Sequence, residues 1–302
     1  MNELKVKKDF GDIYTQDSPY RYLKEMGRLE YSISDSTKLL YNFIIEQLKG
    51  TLSRPVNVLD LGSSYGINSS LIKYDLTMTE LNNFFLNGVE PTKKEIKQFY
   101  DKCTSNDNIN FYQIDISEEA LKFSEEMDLC KKGMNIDLES EKLSLLESLP
   151  EMDIVIATGC VGYIGYKTFS NLLEGFKDRQ SNSTETEAGG IAPIFAFSVL
   201  RMFEMDDIKE VFEKYDYTIA KSDINPIRQR NFYDHKEKAK TIFILHDRGV
   251  NTKEYEEDGN FYADFYIAKT KKKILQLKQN QETVWSKDFF ENISVQIKRR
   301  KN

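Results

Sequence analysis

"NVLDLGSSYGINSSLI", residues 57–72, decides how the rest of the chain is read. Apolar residues from Val56 to Leu61 have the pattern of a strand buried on both faces. Gly62, Ser63, Ser64, Tyr65 and Gly66 interrupt it, and a helix-like segment follows. Strand, glycine-bearing turn and helix form the first crossover of a parallel α/β sheet, where ligands bind beyond the carboxyl ends of the strands. Gly62 and Gly66 are expected to turn the backbone tightly and bring it close to a ligand. Asp60, two residues before Gly62, sets this loop apart from the dinucleotide fingerprint Gly-x-Gly-x-x-Gly. A carboxylate there repels a pyrophosphate and suits a cationic amino group.

Working outward, the pattern repeats. Residues 1–50 read as helical and aromatic. Asp17 and Ser18 precede Pro19, a helix-start signal, and Leu39, Leu40, Phe43, Ile44 and Leu48 recur at helical spacing up to Gly50. Thr77-x-x-Glu80 and Thr92-x-x-Glu95 are capping boxes that open two short helices. "INFYQID" (109–115), "GMNIDL" (133–138), "MDIVIATG" (152–159) and "APIFAFSVL" (192–200) read as further strands. Ser117 caps a helix, and "DIKEVFEKY" is another. "YTIAKSDI" and "TIFILHD" read as late strands, with "NFYADFYIA" as an added edge strand.

This alternation predicts an α/β protein, a Rossmann-like doubly wound sheet, mostly parallel, under an N-terminal helical lid. The lid is expected over 1–50 and the main domain over 51–270, with a helical insertion at 75–108. A mobile polar loop is expected at 178–190 ("DRQSNSTETEAGG"), and a basic extension over 271–302.

Composition excludes several functions. The 302 residues carry a net charge of −7 with no basic stripe through the main body, so no nucleic-acid partner is expected. Cys103, Cys130 and Cys160 stand far apart, and His235 and His246 are the only histidines. No zinc or iron–sulfur ligand spacing occurs, so no metal site is expected. Three unpaired cysteines suit a reducing compartment. With no export signal and no membrane-spanning run, the expectation is a cytoplasmic protein.

At this point the chain resembles the class I S-adenosylmethionine-dependent methyltransferases, over residues 56–247. "VLDLGSSYG" is similar to the family's first motif, Asp/Glu-x-Gly-x-Gly-x-Gly, with Ser64 replacing the middle glycine. "IDISEEAL" resembles the end of its second strand, "NIDLES" its third-strand motif and "DIVIATGCVGYI" its fourth strand. The resemblance implies the family's sheet, with its last strand antiparallel, and S-adenosylmethionine as cofactor. It implies cofactor contacts at Asp60, Gly62, Ser63, Ser64, Gly66, Asp115, Ile116, Asp137, Leu138, Thr158 and Gly159. Asp115 falls where the family holds the ribose hydroxyls, and Asp137 with Leu138 where it reads the adenine.

The expected activity is direct in-line methyl transfer to a small-molecule acceptor. Tyr14, Tyr22 and Tyr163 would line the acceptor pocket, with Tyr20 and Tyr31 in the same aromatic segment. Arg201 and Arg230, placed near strand ends, would grip an anionic substrate by their planar forks. No side chain stands out as a catalytic base. A non-catalytic S-adenosylmethionine-binding sensor or partner protein is the alternative, and a homodimer is left open.

Overall fold

A computed structural model describes residues 8, 10–140, 149–182 and 192–270. The N-terminal segment supplies helices α1 (Tyr20–Arg28) and α2 (Ile33–Lys49). Strand β1 (Val56–Leu61) leads into α3 (Ile67–Lys73), and α4 (Met78–Leu86) and α5 (Lys93–Lys102) fall within 75–108, where a helical insertion is expected. Then follow β2 (Ile109–Asp115), α6 (Glu118–Glu126), β3 (Lys132–Asn135), β4 (Ile154–Val161) and α7 (Tyr166–Asn182). The chain continues through β5 (Ile194–Leu200), α8 (Asp206–Lys214), β6 (Tyr217–Lys221), β7 (Ile227–Asn231), α9 (His235–Asp247) and β8 (Asn260–Thr270).

The strands form one sheet in the order β3-β2-β1-β4-β5-β8-β6, with β7 also paired to β8. The five strands from β3 to β5 are parallel, and β8 runs antiparallel to β5, β6 and β7. This is the doubly wound, mostly parallel architecture that the alternating pattern predicts. Strand β1 is buried throughout, and β4 over its first half. One buried cluster joins α2, the sheet and α7; a second joins α1, the insertion helices and α6.

Both capping boxes are formed: Thr77 and Thr92 each accept from the backbone of the glutamate three residues on, which reaches back to the cap amide. Ser117 caps α6 by accepting from the Ala120 amide.

The structure departs from expectation in the last third. "TIFILHD" is the body of helix α9, not a strand. Asp234 caps it by accepting from the Glu237 amide at 2.8 Å. Glu237, Thr241 and Leu245 recur every four residues on its buried face, while Phe243 points outward. "NFYADFYIA" is not an edge strand but part of the eleven-residue β8. That strand pairs β5 along one side and both β6 and β7 along the other. Helix α7 extends to Asn182, so residues 178–182 of the expected mobile loop are helical. The rest of that loop and the extension at 271–302 lie outside the described residues.

Candidate active site

A cavity of about 440 Å³ opens at the carboxyl ends of β1, β2 and β4 and reaches β7. That size suits a small-molecule ligand. Its wall includes Gly62, Ser64, Asp115, Ile116, Asp137, Leu138, Thr158 and Gly159 from the expected cofactor set. Tyr14, Tyr22, Tyr163 and Arg230 from the expected acceptor set are there too. Asp60, Ser63, Gly66, Tyr20 and Arg201 are not.

The loop's geometry accounts for Asp60 and Gly66. Gly62 (φ +61°), Ser64 (φ +50°) and Gly66 (φ +71°) all occupy the left-handed region. The expectation that a ligand excludes a Cβ at both glycines is corrected. A Cβ at Gly62 would meet the Cys160 side chain at 2.8 Å, and one at Gly66 would meet Ser124 Oγ at 2.5 Å. Protein atoms, not a ligand, demand glycine there. Ser64 holds the same conformation at a cost, with its buried Oγ unpartnered among the described residues. Ser64→Gly is therefore expected to leave stability unchanged or raise it by up to ~1 kcal/mol in urea melts. A loss larger than that would show that the hydroxyl has a partner in the working protein.

Asp60 lies beneath the loop, fully buried, where Asn68 Nδ2 donates to its two oxygens at 3.0 and 3.2 Å. Burial pushes its carboxyl up to about 8, Asn68 opposes the rise and the Asp115 charge adds to it. It cannot contact a ligand directly, so its expected role as the partner of an amino group is corrected. Asp115, at the end of β2, accepts from the Ser64 amide at 2.7 Å and the Ser117 amide at 2.9 Å. Burial raises its carboxyl and these backbone bonds oppose the rise. Asp115 thus ties the glycine loop to the start of α6. The next residue, Ile116, is 74% exposed beside it in the cavity wall. Asp137 turns on its own chain, accepting from the Glu139 amide and Ser140 Oγ.

The N-terminal segment roofs the cavity with Phe10, Tyr14, Tyr22 and Tyr31. Tyr65, from the glycine loop, pins that roof: its hydroxyl accepts from the Gln16 amide at 3.0 Å and faces the carbonyls of Ile13 and Gln16. Ser117 Oγ donates to the Tyr14 carbonyl. The rings of Tyr14 and Tyr22 lie 5.7 Å apart, and those of Tyr22 and Tyr31 6.5 Å apart. Burial raises all three hydroxyls, Tyr31 to about 12.

Neither arginine is free to grip an anion. Arg201 donates to Glu256 at 2.8 Å and to the Asn251 carbonyl, and its guanidinium lies 4.4 Å from the Tyr255 ring centre. Arg230 reaches the cavity wall, but its fork donates to both oxygens of Glu237, at 2.9 and 2.8 Å. The Phe10 and Phe261 rings flank it. Asp115, Glu119, Asp137 and Glu139 make the rest of the wall acidic. The expected grip of Arg201 and Arg230 on an anionic substrate is therefore corrected.

Sequence reasoning missed Gln229, Glu139 and Phe10 in the wall. Glu139 alone had a local signal, since it lies within "NIDLES", the stretch that resembles the third-strand motif; it accepts from Gly165 and Thr168 and joins that loop to α7. Among the described residues no cluster of His, Cys, Asp and Glu could hold a metal ion, and no helix is long and apolar enough to cross a membrane.

No family model matches the chain, and no curated protein matches it in sequence. Solved structures do resemble it, distantly. A magnesium protoporphyrin IX methyltransferase from Synechocystis, with bound SAM, has 10% identity and a TM-score of 0.41, over 89% of this chain and 97% of that one. A TehB-like SAM-dependent methyltransferase from Corynebacterium glutamicum has 10% identity and a TM-score of 0.37, over 76% and 88%. A SAM-dependent methyltransferase from Aquifex aeolicus has 13% identity and a TM-score of 0.37, over 87% and 98%.

Proposed function

We propose that the chain is an S-adenosylmethionine-dependent methyltransferase acting on a small molecule. One observation carries this reading: the segments that resemble the family's four motifs, far apart in sequence, all contribute to the wall of one cavity. The residues there fit the cofactor. Exposed Ile116 and buried Leu138 offer apolar surface to a flat base. Asp115 offers a carboxylate to ribose hydroxyls. The acidic wall, whose only guanidinium among the described residues is already paired, opposes a pyrophosphate and tolerates a sulfonium and an ammonium.

When bound, the cofactor supplies an activated methyl group on sulfur. The chain's own part is to position and to dry the site. Asp115 holds the loop that shapes the cavity floor, and the tyrosine roof excludes water and confines the acceptor. The binding half of the reading is tested with the demethylated product. S-adenosylhomocysteine at a hundred times its dissociation constant is expected to stabilise the protein by ~2.7 kcal/mol, a clear rise in Tm, and NAD to leave it unchanged. A shift with NAD and none with S-adenosylhomocysteine would overturn the proposal.

A further inference from the structure

Gln229 sits at an irregularity in β7. Arg228 opposes Tyr262 of β8 and Arg230 opposes Phe261, so one extra residue, Gln229, is inserted between them. A bulge of this kind breaks the alternation of faces and re-aims a side chain. Here Gln229 and Arg230, though adjacent, are both turned inward and 3% exposed. Gln229 lines the cavity. Its Nε2 faces the Gly159 carbonyl at 3.5 Å, while its Oε1 is buried with no partner among the described residues. Flipping the amide would set two oxygens against each other at Gly159, so the orphan atom is the acceptor. The Gly159 backbone is shaped around it: a Cβ there would lie 2.9 Å from both Gln229 Nε2 and Tyr31 Oη.

The strand order puts Gly159, and with it Gln229, on the opposite side of β1 from Asp137 and Ile116, which follow β3 and β2. A second molecule would sit here, among the rings of Tyr14, Tyr22 and Tyr31. Two observations limit its chemistry. The Arg230–Glu237 pair is closed on itself, leaving no free charge on either residue for a charged ligand. The tyrosine hydroxyls are protonated at neutral pH as any tyrosine is, and burial raises them further, so they offer no base to an O–H nucleophile. A nitrogen lone pair needs no such base.

We propose that Gln229 reads the methyl acceptor, and that the acceptor is an uncharged, ring-bearing nitrogen compound with an N–H, an azole or an aromatic amine. The N–H donates to Gln229 Oε1 while the ring lies among the tyrosines. The nucleophilic nitrogen's lone pair forms the new N–C bond as the methyl's C–S bond breaks, and that bond's electron pair stays on sulfur as a thioether. The positive charge passes from sulfur to the acceptor, which loses its N–H proton to solvent on release.

This inference rests on the methyl-transfer reading, and the experiment separates the two. Binding of imidazole and aniline to the full chain saturated with S-adenosylhomocysteine is followed by ligand-observed NMR, with phenol and benzoate as controls. Transfer from methyl-labelled S-adenosylmethionine to the same four compounds is followed by mass spectrometry. Imidazole or aniline is expected to bind and to be methylated, and phenol and benzoate are not. Gln229→Leu, which keeps the volume, should lose roughly tenfold or more in nitrogen-ligand affinity and in kcat/KM, with S-adenosylhomocysteine affinity unchanged. Gln229→Glu, which keeps an oxygen acceptor, should recover part of the binding.

If S-adenosylhomocysteine does not bind, the methyl-transfer reading fails and takes this inference with it. If it binds but neither nitrogen compound binds or is methylated, the inference alone falls. It falls equally if phenol or benzoate is methylated instead, or if Gln229→Leu binds imidazole and aniline as the parent does. A loss of S-adenosylhomocysteine affinity in Gln229→Leu would overturn the inference by assigning the residue to the cofactor's side of the cavity rather than to the acceptor.

Discussion

Replacing Asp60 with asparagine is expected to stabilise the unliganded protein at pH 8, and to do so far less at pH 4. The carboxyl is fully buried under the glycine loop, with only the Asn68 amide beside it as donor among the described residues. Burial raises it to about 8 in the folded state, whereas an unfolded aspartate titrates near ~3.9. A group whose folded pKa is raised contributes stability that is complete below the unfolded value and is lost as pH climbs to the folded one. The window therefore runs from roughly pH 4 to pH 8. Across it, ionisation of Asp60 withdraws on the order of 5 kcal/mol from the native state. Asparagine has the shape of the protonated acid and does not titrate.

Urea melts of parent and variant at several pH values report on this group and on Asp115, whose charge is coupled to it, because every uncoupled titration cancels in their difference. The advantage of the variant should grow steadily to about pH 8 and then level off. A difference independent of pH would mean that Asp60 is ionised in the folded protein throughout, and that something other than Asn68 compensates its charge.

Asp60 also shows what could and could not be read from the chain. Its place at the end of a buried strand was legible, because strand, turn and helix are local patterns. So were the two capping boxes and the succession of parallel strands. Whether its carboxyl faces a ligand or the protein's own Asn68 depends on which side of the turn it emerges, and no spacing encodes that. The glycines behave alike. Their left-handed conformations could be foreseen from the turn, but the atoms filling the space beside them come from Cys160 and Ser124, 98 and 58 residues away.

The misplaced elements have the same origin. β8 has the alternating burial of a strand with one face more open, which an edge strand shares, and only pairing reveals partners on both sides. "TIFILHD" is rich in β-branched and aromatic residues. Its helix is fixed instead by the Asp234 cap and by a buried face on which Thr241 must meet Met202, 39 residues away in sequence. Gln229 had no local signal, since a bulge is a mismatch between two strands and not a property of one.

Arg230→Ala should be among the most destabilising single changes at this site, and its effect should extend to the cavity. The guanidinium and the Glu237 carboxylate are 3% and 4% exposed, and they exchange two hydrogen bonds. The backbone amides of Tyr233 and Lys8 also donate to Glu237, and together with Arg230 they hold its carboxyl below the ordinary range against the cost of burial. Removing the arginine leaves a carboxylate buried beside neutral donors only, a loss expected at about 3–5 kcal/mol. It also empties the space between the Phe10 and Phe261 rings. Phe10 belongs to the roof, so the N-terminal segment should loosen, and proteolysis near residue 10 should speed up beyond what the change in global stability explains. Arg230→Met fills the volume but still strands the charge, and should recover little. Arg230→Met combined with Glu237→Gln removes both charges and should recover most of the stability, because a buried pair gains little over well-packed neutral groups. Chemical denaturation of the four proteins decides the matter. Equal stability of Arg230→Met and the double variant would show that Glu237 finds another partner once the arginine is gone, and that the roof does not depend on this pair.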